Sequence, residues 1–148
     1  MKSVNVPLSL YIHIPFCQRK CPYCDFNTYA GLNRLFEPFT AALVQEIRQA
    51  GEAHGRPAVR TVFLGGGTRT VLPVELLAQV IDVCHASFDV LPDAEITSEA
   101  NPGTVDVGRF AALRSLGVNR LSMGVQSFDP TELAFLGRIH SAGEATTA

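Results

Sequence analysis

Cys17, Cys21 and Cys24 fall within eight residues of this 148-residue chain and are its side chains best suited to chemistry. An odd cluster of thiols suits a metal better than a disulfide framework, which would leave one unpaired. Structural zinc takes four closed ligands, typically as two separated pairs, and Cys-x3-Cys-x2-Cys supplies three. His13 could complete a zinc site, but it lies in a run that reads as a strand whose facing is open. Iron–sulfur clusters are held by thiolates, four for the four-iron type. Three thiolates would leave one iron open to a small ligand, which makes a site reactive rather than only structural. Cluster binding is therefore the leading reading, with zinc or plain loop thiols as the alternatives. Cys84 differs, because it falls on an apolar helical stripe and reads as core.

Other candidates are individually weaker. Gly65-Gly66-Gly67 either makes a turn or lets backbone approach a ligand closely. It is neither the dinucleotide fingerprint nor a P-loop, since the required spacing and the Gly-Lys-Ser/Thr are missing. Glu99 and Gln126 could be ordinary surface polar groups, and Arg138 a helix-end cation complementing the dipole. His54, His85 and His140 have no partner motif and read as surface or packing residues.

The elements that must position these residues alternate. Leu8 to Ile14 has the alternation of a strand, and a cysteine loop follows to about Gly31. Phe36, Phe39, Leu43 and Ile47 mark a helix from Leu35 to about Ala50, closed by Gly51 and Gly55 with Pro57. Val59 to Leu64 predicts a second strand. Leu76, Leu77, Val80, Ile81, Cys84 and Phe88 predict a second helix, with Pro73 in its first turn. Ala94 to Ser98 is the third strand. Thr104 is expected to cap a third helix carrying Phe110, Leu113 and Leu116, which Gly117 ends. Arg120 to Val125 is the fourth strand. Asp129-Pro130-Thr131-Glu132 then reads as a cap, a first-turn proline and a reciprocal acid, opening a short helix with Leu133, Phe135 and Leu136.

Four βα units demand a parallel sheet, either doubly wound or part of a (β/α) barrel. The cysteine loop, the glycine triplet, Glu99 with Asn101, and Gln126 all fall at carboxyl ends of strands. Both architectures place their active sites on that rim.

Composition narrows the function classes. Apolar residues make up 47% and charged residues 18%, which is core-forming. A formal charge of −2 argues against a nucleic-acid-coating surface or a polybasic membrane patch. No apolar run approaches the roughly 18 residues of a spanning helix. Val6 to Phe16 follows a single lysine, contains two prolines and a histidine, and precedes no small-residue cleavage site. A secretory leader is thus disfavoured, and a cytoplasmic protein is expected.

Cys17-x3-Cys21-x2-Cys24 with Tyr23 before the last cysteine resembles the signature of the radical S-adenosylmethionine superfamily. LYIHIPFCQRKCPYCDFN, TVFLGGGT, EITSEANPGTV and GVNRLSMGVQSF with LGRIHSAGEA resemble the oxygen-independent coproporphyrinogen III oxidase family, from about Leu8 to about Ala145. Within it they most resemble the haem chaperone branch. Oxidase members carry a further cysteine two positions after the last cluster ligand, where this chain has Phe26.

The resemblance implies an α/β fold, the first four βα units of a partial (β/α)6 TIM-like barrel. It implies a 4Fe-4S cluster on Cys17, Cys21 and Cys24, its open iron chelated by S-adenosylmethionine. Tyr11 would line the cofactor site beside the cluster. Gly66, Gly67 and Thr68 would form a backbone cradle, Glu99 would bind the cofactor through ribose hydroxyls, and Gln126 and Arg138 would complete its pocket. Haem, haem-accepting proteins such as respiratory cytochromes, and a reducing electron donor are the implied partners. The alternative within the family is a coproporphyrinogen III oxidase of porphyrin biosynthesis; outside it, a zinc-binding structural module. Whether the protein is an enzyme stays open.

Two departures stand out. The family usually has proline where this chain has Arg69, which removes a fixed φ and brings a cation to the rim. Family members also continue with further βα units and a C-terminal domain, where a haem-associated motif lies. Residues 1–148 are therefore expected to be an incomplete radical S-adenosylmethionine core, with an open sheet edge and marginal stability alone.

Overall fold

The computed structural model describes residues 6–67 and 71–147. Strands β1 (Leu8–Ile14), β4 (Ala58–Gly66), β5 (Asp89–Ala100) and β6 (Arg120–Met123) form one parallel sheet in the order β1-β4-β5-β6. A doubly wound sheet reverses direction at a switch point. Here each main strand lies beside the next one in the chain, as in the wall of a barrel. That order decides between the two architectures in favour of the barrel arc.

The strand period of two separates the faces. Ile12 pairs with Leu64 and Leu64 with Ser98, a row buried beneath α1 (Phe36–Ala53) and α2 (Val74–Ser87). The next row is Tyr11, Phe63, Thr97 and Arg120, on the opposite face. Ile14, Leu64, Leu77, Val80 and Leu113 of α3 (Val107–Ser115) are sealed from solvent. Each stabilises the fold by roughly 1.5–3 kcal/mol through burial. Cys84 joins this core, as expected, and burial pushes its thiol up to about 12. No described helix is long and apolar enough to cross a membrane.

Several boundaries differ from the sequence reading for local reasons. Gly51 does not close α1, which continues to Ala53. A Cβ at Gly51 would collide with Ser87, so the glycine marks the closest approach of α1 to α2. β5 begins at Asp89, because Asp89 and Val90 pair with Ala58 and Val59 before an irregularity in register. The cap of α3 is Asp106, whose Oδ1 accepts from the Arg109 N–H at 2.7 Å. Thr104 instead ends the 3-10 turn Pro102–Thr104, its hydroxyl donating to the Asn101 carbonyl at 2.8 Å.

Asp129 caps α4 (Pro130–Phe135) as expected, accepting from Thr131 and Glu132 N–H. Glu132 does not complete a direct reciprocal bond: it accepts from the Ser127 hydroxyl, which in turn accepts the Asp129 N–H. Only Leu133 of that helix is buried, and Phe135 is exposed. The periodicity marks no element beyond α4, yet a further helix, α5 (Ala142–Thr147), follows. Ser141 and Glu144 exchange bonds as a capping box, with Glu144 Oε2 accepting the Ser141 N–H at 2.7 Å.

Candidate functional site

The cysteine loop is not simply irregular. Phe16–Cys17 (β2) pairs in parallel with Tyr29–Ala30 (β3), and the Tyr29 N–H donates to the Pro15 carbonyl at 2.7 Å. This clasp fixes both ends of the loop that holds Cys21 and Cys24. Inside it, the Cys24 N–H donates to the Cys21 carbonyl at 3.0 Å, a tight turn that places the two cysteines together. The Thr28 hydroxyl lies 3.9 Å from the Cys24 sulfur.

His13 anchors the same loop from β1. Its Nε2 lies 2.9 Å from the Asn27 carbonyl, which can only accept, so Nε2 carries the hydrogen. The Tyr11 hydroxyl lies 3.1 Å from Nδ1 and donates to it in the neutral ring. His13 is thus committed to the loop backbone, with neither nitrogen turned to a cysteine. Tyr11 leans on His13 and Phe63, with its ring stacked 6.0 Å from the latter, and is not among the residues lining the cysteine cavity.

That cavity, of about 290 Å³, brings together most of the expected residues from separate strand ends. Cys17, Cys21 and Cys24 share its wall with Gly66 and Gly67, Glu99 and Asn101, Gln126 and Arg138. Arg19, Tyr23, Phe26, Ala100, Ser122, Met123 and Gly124 complete it, and the sequence alone gave Asn101, Ser122, Met123 and Gly124 no binding role. Their signal was position alone: each follows or ends a strand on the functional rim. Thr68 and Arg69 lie outside the described residues. A larger cleft of about 750 Å³, between the starts of α2 and α3, contains none of the expected site residues.

The glycine triplet works differently from a plain ligand cradle. A Cβ at Gly65 would strike the Tyr11 ring, and one at Gly66 would come within 2.7 Å of the His13 ring. A Cβ at Gly67 would collide with the Phe16 backbone. The missing side chains therefore let the end of β4 lie against β1 and the strand that carries Cys17. Gly66 and Gly67 still present backbone to the cavity.

Gln126 has φ of +71°, a left-handed conformation usually left to glycine. It turns the chain just after β6, where its side chain enters the cavity wall. Gln126→Gly is expected to leave stability within about 1 kcal/mol of the parent, since the strain relieved offsets the entropy glycine loses. Gln126→Val is expected to cost roughly 1–2 kcal/mol, read from urea midpoints.

Charge around the sulfurs is mixed, with Arg19 and Arg138 set against Glu99. Burial raises the Tyr23 phenol above its ordinary range, against the pull of the Arg138 charge. His140 is buried beneath the rim, with Nε2 3.0 Å from the Val125 carbonyl. Burial lowers its pKa from the ordinary 6.5, and Arg138 adds to that, while Val125 and Glu144 oppose it. The folded state therefore resists a proton that the unfolded chain accepts. His140's contribution is complete above about pH 6.5 and is lost as pH falls below it. Urea midpoints at pH 7.5 and 5.5 should show this loss, and it should shrink in His140→Gln.

Among the described residues, no three His, Cys, Asp or Glu side chains are grouped to hold a single metal ion. A zinc ion needs its ligands on one point, whereas a cubane offers separate irons to separate thiolates. The three cysteines line one cavity wall, with no disulfide formed, and suit the second geometry.

A parallel barrel arc with three cysteines at the mouth of its first strand defines a family. The radical SAM superfamily model matches residues 11–147, and this chain belongs to that superfamily. It is 46% identical over 144 residues to the "Heme chaperone HemW" of Escherichia coli K12, covering 96% of this chain and 38% of that protein. It is 40% identical to the mitochondrial "Radical S-adenosyl methionine domain-containing protein 1" of Mus musculus, covering 97% of this chain and 33% of that one. The solved structure described as "Coproporphyrinogen III oxidase (HemN) from Escherichia coli is a Radical SAM enzyme" superposes with a TM-score of 0.88 at 32% identity. That match covers 95% of this chain and 33% of the other. The chain thus spans well under half the length of these relatives.

Proposed function

We propose that Cys17, Cys21 and Cys24 hold a 4Fe-4S cluster whose remaining iron takes S-adenosylmethionine, and that the whole protein is a cytoplasmic haem chaperone. The observation that carries the reading is the convergence of three thiols, Glu99 and Gln126 on one cavity wall. When bound, such a cluster supplies one-electron chemistry beside the cofactor.

The chain's own residues divide the work. The β2–β3 clasp and His13 hold the cysteine loop in place. Glu99 offers a carboxylate to accept hydrogen bonds from ribose hydroxyls, and Gln126 an amide that can donate or accept. Gly66 and Gly67 keep β4 close enough to line the floor, and Phe26 and Met123 add apolar wall. Arg138 closes the side next to Cys21. Tyr11 supports the site through His13 instead of facing the cofactor. Residues 1–148 form one core unit in this reading, acting with a reducing partner.

Haem delivery to haem-requiring proteins, respiratory cytochromes among them, is supported by relatives named heme chaperones at 42–46% identity. Phe26 stands where the oxidase pattern has a cysteine. The test is anaerobic reconstitution with iron and sulfide, then binding of S-adenosylmethionine by calorimetry. A protein containing this chain should bind haem and pass it to an apo-cytochrome without converting coproporphyrinogen III. Conversion of that porphyrinogen would make it an oxidase instead, and zinc in place of iron would remove the cluster.

A further inference from the structure

His140 is not among the residues lining the cysteine cavity, yet it is buried where three loops of the functional rim meet. The 3-10 turn Pro102–Thr104 packs over it, and a Cβ at Gly103 would sit 3.4 Å from the His140 Cβ. Its Nε2 lies 3.0 Å from the Val125 carbonyl, which can only accept, so Nε2 carries the hydrogen. Its Nδ1 is buried with no partner among the described residues. A leucine would fill such a space without leaving a nitrogen unpaired, so packing alone gives no reason for an imidazole. What sets the histidine apart is the bond from Nε2.

That bond lands on the peptide joining Val125 to Gln126. The Val125 N–H donates back to the Met123 carbonyl at 3.0 Å, and the Gly124 N–H to the Ala100 carbonyl at 2.9 Å, so the chain turns sharply on leaving β6. Gln126 follows, with its φ of +71°. This angle is measured from the Val125 carbonyl carbon, so fixing that peptide plane fixes the direction in which Gln126 departs. Left-handed backbone at a residue with a Cβ persists only where its surroundings over-determine it. The strain and one buried hydrogen bond are similar in size, so without the bond the plane can rotate and the strain relax. The glutamine side chain would then leave the wall it shares with Glu99 and the three cysteines.

We propose that His140 is a positioning residue for Gln126: from behind the rim, its Nε2–H holds the Val125–Gln126 peptide so that the glutamine amide faces S-adenosylmethionine. The inference deepens the cofactor reading proposed above and rests on it. No atom of the imidazole has to reach the cofactor.

The test is calorimetry of S-adenosylmethionine binding to a protein containing this chain, reconstituted anaerobically with iron and sulfide. The parent is compared with His140→Leu, His140→Gln, Gln126→Ala and the double variant His140→Leu with Gln126→Ala. All should load iron like the parent, since His13 and the β2–β3 clasp hold the cysteine loop. Gln126→Ala and His140→Leu should each weaken binding about tenfold, the size of one polar contact. The double variant should stay within about twofold of Gln126→Ala, because His140 then has nothing left to position. Glutamine carries an amide N–H at the reach of Nε2, so His140→Gln should bind within about threefold of the parent. A second tenfold loss in the double variant, or parent-like affinity in either His140→Leu or Gln126→Ala, would overturn the proposal. If leucine prevents folding, His140→Asn takes its place. Its amide is too short to reach Val125, so equal affinity in the asparagine and glutamine variants would also overturn the proposal. An iron-loaded parent that binds no S-adenosylmethionine would instead defeat the cofactor reading itself.

Discussion

Reconstituted anaerobically with iron and sulfide, the Cys21→Ser chain is expected to stay colourless and to retain less than about a tenth of the parent's iron. Losing an outer-shell partner of a metal ligand typically costs 10–100-fold in affinity, and losing a ligand itself costs more. Cys21 is also the sulfur bonded to Arg138, so serine weakens the tie between the cysteine loop and the rims of β5 and β6. Cys84→Ser is the control. That residue is buried in the core away from the cavity, so the variant should lose stability, by about 1–3 kcal/mol for a buried hydroxyl, and keep its iron. Full iron loading in Cys21→Ser would show that the cysteine trio does not act as a unit.

The second large effect belongs to a residue without a side chain. Gly67→Ala places a methyl group against the Phe16 carbonyl carbon and oxygen, which are backbone and cannot swing aside. The Gly67 N–H also donates to the Ile14 carbonyl at 2.7 Å, so moving Gly67 away would break that link. A destabilisation of about 3 kcal/mol is expected, with iron binding reduced because β2 carries Cys17. Gly65→Ala is the milder companion. Its methyl group meets the tip of the Tyr11 ring, an exposed side chain that can shift at the expense of its contacts with His13 and Phe63, so a cost near 1 kcal/mol is expected. Urea denaturation and iron analysis separate the two. Equal costs would mean that glycine conformation, not the Phe16 contact, governs the turn.

These glycines illustrate what the sequence could reveal. The order of βα units was legible because apolar period follows packing: Ile12, Leu64 and Leu77 face a core that any such pattern must bury. The rim was legible for the same reason, since strand ends could be located from it. Periodicity alone left the barrel arc undecided against a doubly wound sheet, because neighbour relations between strands are tertiary and leave no periodic trace; the family resemblance is what pointed to the barrel. The triplet at Gly65 could be seen as clearance, but only the register of Tyr11 against Phe63, and His13 against Gly65, reveals that it clears β1. The surroundings of Tyr11 were not legible for a related cause. One strand residue can line a cavity or brace a neighbour, and which it does depends on His13 being tied to Asn27. Asp106 prevailed over Thr104 as a cap because the intervening turn was invisible, although Ser141 and Glu144 carried a capping signature in plain view.

The bond between Arg138 and Cys21 joins residues 117 positions apart. At about 5–20 residues per second, a ribosome would deliver the guanidinium roughly 6–23 s after the thiol. For that interval the nascent cysteines lack their last clamp and stand open to oxidation or to stray metal. Under the cluster reading proposed above, iron and sulfide are expected to load late, after translation has passed the fourth strand.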